Sequence, residues 1–150
     1  MIRPGGSTVK TRDGRRRTDY ALEGSWGQLT IAEMGRLDSE VVVRKQRPGA
    51  FHRTNLDLIL QARGIQAVAI AGTVTQGCVL ATAYEASFRN YYTVVVGDAV
   101  TSHDQELHAT ALRLIGARYD VVDAAAVEEL WRQPRGGAGP GRPGAHSRDE

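Results

Sequence analysis

Cysteine occurs once in this chain of 150 residues. Cys78 ends the run Ala67-Val68-Ala69-Ile70-Ala71-Gly72-Thr73-Val74-Thr75-Gln76-Gly77-Cys78, which reads as an apolar strand, a Gly/Thr-rich turn and a helix start. A thiol is weakly nucleophilic at neutral pH, with an unperturbed pKa of ~8.5. The free N–H groups and positive dipole end of a helix favour the thiolate. Lys45, one of only two lysines among nineteen basic residues, directly follows the strand-like run Val41-Val42-Val43-Arg44. An ammonium near the sulfur would favour the thiolate further. Gly72 and Gly77 permit a tight turn that aims backbone N–H groups inward, as an oxyanion hole requires. The chemistry within reach is nucleophilic attack on a carbonyl. Spacing alone also allows a second reading, a lone cysteine packed inertly among apolar neighbours. The turn is not a phosphate loop, because it lacks the Gly-Lys-Ser/Thr ending.

Other chemistry-bearing residues are less suggestive. His52, His103 and His108 do not fall at His-x-x-x-His spacing, and one cysteine excludes a zinc site built on several thiolates. Neither a metal nor a cofactor is expected. His108 should hydrogen-bond across a helix surface, and His52 should sit in a loop at the pocket mouth. Trp26, in Gly24-Ser25-Trp26-Gly27, is either a lid over the site or a core anchor, and core packing is the expectation.

The elements that must position these residues alternate. Strands are expected at about 40–44, 66–71, 92–96 and 119–122. Helices are expected at about 55–63, 78–89 and 104–117, with a last one reaching Trp131. Thr54 or Asn55 can cap the first helix and Gly64 can end it, Asn90 ends the second, and Ser102 with Gln105 has the form of a capping box. Short apolar strands alternating with helices indicate an α/β fold: three-layer α-β-α, with a doubly wound, mostly parallel sheet. Ligands in such sheets bind beyond the carboxyl ends of the strands. The strand before Lys45 and the strand before Cys78 are joined by one helical crossover. They are expected as neighbours about 5 Å apart, which would bring both residues to one crevice. Asp98 and Ser102 follow the third strand on the same edge.

The net charge of +2 is unevenly spread. Residues 1–18 carry +5 and 132–150 carry +2, which leaves the body at −5. A basic face on the folded part is therefore missing, and the Arg12 to Arg17 cluster reads as a solvated tail rather than a nucleic-acid site. We expect a flexible basic segment over 1–18, one domain over 19–132 and a disordered Gly/Pro/Arg tail over 133–150. No apolar run approaches the ~20 residues of a membrane span, and Met1 to Gly6 lack the apolar stretch of a secretion signal. With a single cysteine, a reducing cytoplasm is the expected compartment.

Several motifs taken together resemble the isochorismatase-like cysteine hydrolases. They are Lys45-Gln46-Arg47-Pro48-Gly49-Ala50-Phe51, Thr54-Asn55-Leu56, Gly72 to Val79, Thr82-Ala83 and Asp98-Ala99-Val100. The superfamily includes N-carbamoylsarcosine amidases, ureidoacrylate amidohydrolases and nicotinamidases, and Gly24-Ser25-Trp26-Gly27 resembles the Gly-Thr-Trp-Gly of its ureido-type members. The resemblance spans roughly residues 19–131. It implies that Cys78 is the nucleophile toward an amide or ureido carbonyl and that Lys45 is the lysine of an Asp-Lys-Cys triad. Thr73 and Val74 would form a non-proline cis peptide, and the N–H groups of Val74 and Cys78 would receive the oxyanion. Phe51 would be an aromatic wall near the substrate, with Gln76, His52 and Trp26 also placed at the pocket. Siderophore-type isochorismatases lack the cysteine, so the chain looks more like an amidase branch. The Asp-x-His metal signature of nicotinamidases is not visible.

One family feature has no counterpart. The triad aspartate normally follows a central first strand, but Asp13, Asp19 and Asp38 all lie in polar contexts. The fold is thus expected as isochorismatase-like and N-terminally incomplete. Three readings of the gap are open: a sequence that starts late, a decayed paralogue, or a partner chain that supplies strand and acid. Asp98 is a further candidate for the missing carboxylate. The leading expectation is a cysteine-dependent hydrolase of small C–N compounds that forms a homo-oligomer and needs neither nucleic acid nor membrane. The alternative is a catalytically inactive homologue acting as a scaffold subunit.

Overall fold

Two runs of β-branched and small apolar residues build most of the sheet in the computed structural model, which describes residues 24–132. The segment 1–18, with the Arg12 to Arg17 cluster and Asp13, lies outside the described residues, as do Asp19 and the tail 133–150. Strands β1 (Ala67–Thr73), β2 (Tyr92–Thr101) and β3 (Asp120–Val122) are parallel, in the order β1-β2-β3. Ala67 to Ile70 stand opposite Tyr92 to Val95, and pairing resumes with Gly72 opposite Val100. The extra residues bulge out of β2 around Gly97 and Asp98. A bulge of this kind bends a strand and redirects its side chains.

The helices are α1 (Leu56–Ala62), α2 (Leu80–Ser87), α3 (Gln105–Gly116) and α4 (Ala124–Arg132). Gly64 at φ +63° closes the stretch after α1, and Asn90 at φ +64° the stretch after α2. Capping differs in detail from expectation. Asn55 makes no side-chain cap bond, and the hydroxyl of Thr54 instead accepts the Leu56 N–H at 3.3 Å. Asp104, not Ser102, caps α3, accepting the Leu107 N–H at 2.9 Å. Ser102 and Gln105 brace that cap: Ser102 Oγ accepts the Asp104 N–H, and Gln105 Nε2 donates to the Ser102 carbonyl.

Period-two alternation divides the sheet into two faces. Ile70 and Val95 meet Val79 and Ala83 from the α2 side and Ile115 from α3, and with Val100 they form the main core. A second cluster of Phe51, Ala86 and Tyr91 is backed by Leu56 and Leu60 of α1. The opposite face carries Ala67, Ala69, Tyr92 and Val94, with Val127, Leu130 and Trp131 of α4 around a shallow groove of about 180 Å³. The architecture is three-layer α/β. Full burial of each large core side chain contributes roughly 1.5–3 kcal/mol.

Two expectations are corrected. Residues 41–44 form no strand; the segment has no ladder partner among the described residues, and Val41 and Val42 are exposed. Valines favour strands mainly through packing against a neighbouring strand, and among the described residues no such strand pairs with this segment. The two-strand route from Lys45 to Cys78 therefore does not exist. Trp26 does not anchor the core: it lies on a single 3₁₀ turn, Trp26–Gln28, and is 81% exposed.

Candidate active site

Cys78 does not open an α-helix. It lies in a five-residue π turn, Thr75–Val79, that joins β1 to α2. The Val74 carbonyl accepts N–H bonds from Gly77 at 3.0 Å and from Val79 at 3.3 Å, the second closing the wider turn that follows β1. Single π turns are common at functional sites. Gly72, at φ +119°, takes a backbone conformation that side-chain-bearing residues rarely adopt. The Thr73–Val74 peptide bond is cis. Thr75 and Val79 are buried, while Cys78 is half-buried and unpaired.

Lys45 reaches this turn from a loop. Its ammonium donates to Cys78 Sγ at 3.3 Å, to the Arg47 carbonyl at 3.1 Å and to the Pro48 carbonyl at 3.3 Å. An ammonium has three donors, and these contacts use all of them. Two of the three partners are neutral, so they hold the side chain without cancelling its charge. Arg36–Asp38, Arg89–Asp57 and Arg132–Glu128 are ion pairs among the described residues, and none of the three involves Lys45.

Side chains on and around α2 hold the lysine loop in place. Thr82 Oγ1 accepts the Ala50 N–H at 3.1 Å, and Glu85 Oε2 accepts the Phe51 N–H at 2.9 Å. Arg89 lies over the Phe51 ring, 4.8 Å from its centroid. Cys78, Thr82, Glu85 and Arg89 are spaced four, three and four residues apart; Thr82 and Glu85 share a face of α2, with Cys78 in the π turn before it and Arg89 just past its end. Gly49 packs so closely on the Glu85 carboxylate that a Cβ there would collide with it. Thr82 stood among the residues read from the sequence, but Glu85 and Arg89 did not. Their helical spacing from Cys78 was the available signal.

The remaining candidates are distributed unevenly. Phe51 is 5% exposed and stacks on Tyr91 at 5.8 Å, so its ring packs the loop onto the protein. His52 is exposed on the turn that follows. Gln76, in the π turn, has a buried Oε1 with no hydrogen-bond partner among the described residues. Asp98 Oδ1 accepts the Ala124 N–H at the start of α4, at 2.9 Å, which is a structural use of its carboxylate. Asp38 is fully exposed beside Arg36. His108 does not bond along its own helix surface; its Nδ1 lies 2.8 Å from Thr75 Oγ1. No group of three or more His, Cys, Asp or Glu among the described residues could hold a metal ion. No helix there is long and apolar enough to cross a membrane.

Comparison with known proteins identifies the family. The isochorismatase domain model matches residues 5–126. Ureidoacrylate amidohydrolase RutB of Methylobacterium radiotolerans is 31% identical over 125 residues, covering 82% of this chain and 48% of that protein. An isochorismatase family protein from Burkholderia thailandensis superimposes with a TM-score of 0.76 at 33% identity, over 85% of this chain and 66% of the other. N-carbamoylsarcosine amidase from Thermoplasma acidophilum gives a TM-score of 0.62 at 30% identity, over 79% and 64% of the two chains. The chain spans about half the length of the curated relatives it matches. With the domain match covering most of its length, this chain belongs to the isochorismatase family.

Proposed function

We propose that the chain hydrolyses small amide, carbamoyl or ureido compounds through a thioester-type intermediate on Cys78. The observation that carries this reading is the 3.3 Å contact between Lys45 Nζ and Cys78 Sγ, made across 33 residues of sequence. Among its relatives, the ureidoacrylate amidohydrolase and the N-carbamoylsarcosine amidase act, by name, on a ureido and a carbamoyl compound.

The thiolate attacks the carbonyl carbon and forms the C–S bond. The N–H groups of Val74 and Cys78 receive the charge that develops on oxygen. Collapse breaks the C–N bond, and the leaving nitrogen takes a proton from the Lys45 ammonium. Water then attacks the thioester and returns a proton to Lys45, which restores the thiolate as the acid product leaves. A reducing compartment suits the reaction, because the thiol must stay free.

The test is ammonia release from a panel of amides, carbamoyl compounds and ureido acids, with mass spectrometry of the quenched protein. The expected result is turnover of at least one class and an acyl adduct on Cys78 that Cys78→Ala abolishes. No turnover and no adduct would favour an inactive homologue serving as a scaffold subunit.

Self-association is also proposed. The outer edge of β1 has no partner strand among the described residues, and Leu130 and Trp131 are exposed on α4. Unpaired edges and exposed apolar groups invite pairing. Sedimentation should show an oligomer, whereas a clean monomer with a sharp two-state melt would contradict it.

A further inference from the structure

Thr75 is 0% exposed, the most deeply buried polar residue of the turn that carries Cys78. A buried hydroxyl needs a hydrogen-bond partner. Its partner is Nδ1 of His108 at 2.8 Å, reached from the first turns of α3. The ring rides on a well-fixed element. The His108 N–H bonds the Asp104 carbonyl at 2.9 Å, Asp104 caps the helix, and Ala111 and Ile115 bury its inner face. On the other side Thr75 sits between the cis peptide and Gln76, three residues before Cys78. The nucleophile turn is thus tied by one side-chain bond to a helix that does not itself carry the thiol or the lysine.

We propose that His108 is a positioning residue for Cys78, acting through the Thr75 hydroxyl. This rests on the reading of Cys78 as the nucleophile. His108 keeps the buried hydroxyl satisfied, and the π turn consequently holds the sulfur against Lys45. A ring that fills the same space without a nitrogen leaves Thr75 unsatisfied, and the turn must shift to find another partner. An Asn side chain places an amide near the position of Nδ1 and can restore the bond, whereas Gln places its amide near that of Nε2 and cannot.

The experiment is iodoacetamide alkylation of Cys78 in the full chain at pH 7, with melting temperature as a check on folding. His108→Phe should react about tenfold more slowly than wild type, the effect of one lost buried hydrogen bond. His108→Asn should stay within about threefold of wild type, and His108→Gln should be as slow as His108→Phe. The Asn-against-Gln contrast still decides the matter if the Phe variant does not fold. A helix-packing role alone would not separate these two amides. Wild-type rates in His108→Gln, with Lys45→Ala slow, would overturn the role of His108 and leave the cysteine mechanism standing. Rates insensitive to both His108 and Lys45 would overturn both.

Discussion

The two halves of the candidate site are held by different means. Cys78 stands on regular structure: a parallel strand pinned to the core by Ile70, a π turn whose carbonyls are engaged, and a helix that follows without a break. Lys45 stands on a loop with no strand beneath it, fastened by side-chain bonds to Thr82 and Glu85 and by its own donors to two loop carbonyls. The first arrangement is stabilised by the core, the second by a few hydrogen bonds. The Thr75–His108 bond apart, the position of the lysine should therefore depend on single side-chain bonds more than that of the nucleophile does.

Substitutions can break that comparison in order of effect. Cys78→Ala should abolish turnover. Lys45→Ala should lower kcat by roughly a hundredfold, the scale expected of a group that both moves a proton and steadies charge. Glu85→Ala should detach the loop without touching either reacting residue. It leaves the Phe51 N–H without its carboxylate, which costs about 2 kcal/mol by thermal melts, and turnover should fall about tenfold through misplaced Lys45. Thr82→Val removes a neutral bond and should cost about 1 kcal/mol. If Glu85→Ala left turnover intact, the loop would be held by something other than α2.

The smallest effect concerns the packing beneath the loop. Burial, together with the hydrogen bond and charge of Asp57, raises the pKa of Tyr91 above its ordinary value. A phenol whose folded pKa is raised contributes stability that is full below its unfolded pKa of ~10 and lost as pH rises through the folded value. Tyr91→Phe should flatten part of the alkaline stability loss in melts between pH 9 and 11. A residue from Tyr92, raised by Asp120, should persist.

How much of this was legible follows the same division. The strand–turn–helix around Cys78 is written in adjacent residues: apolar Ala67 to Ala71, then glycines and threonines, then a helical pattern. Parallel pairing follows from the helices between the strands. The lysine loop was not legible in this way. Val41-Val42-Val43 has the composition of a strand, but composition supplies no neighbouring backbone, and without one the segment stays outside the sheet. Its actual anchor is a set of long-range bonds to Thr82, Glu85 and Arg89. Trp26 shows the same limit, since a tryptophan in a Gly-Ser-Trp-Gly turn has no pattern that says what will cover it. The helix around His108 gives no sign of its partner, because Thr75 lies 33 residues upstream.

The central claim is that Lys45 and Cys78 act as one unit. The most direct measurement is the rate of Cys78 alkylation by iodoacetamide at pH 6.5, in wild type and Lys45→Ala, each folded and in denaturant. The account predicts that folded wild type reacts at least tenfold faster than folded Lys45→Ala, the scale of one charge-assisted contact, and that denaturant removes the difference. Equal rates in the folded proteins would contradict it.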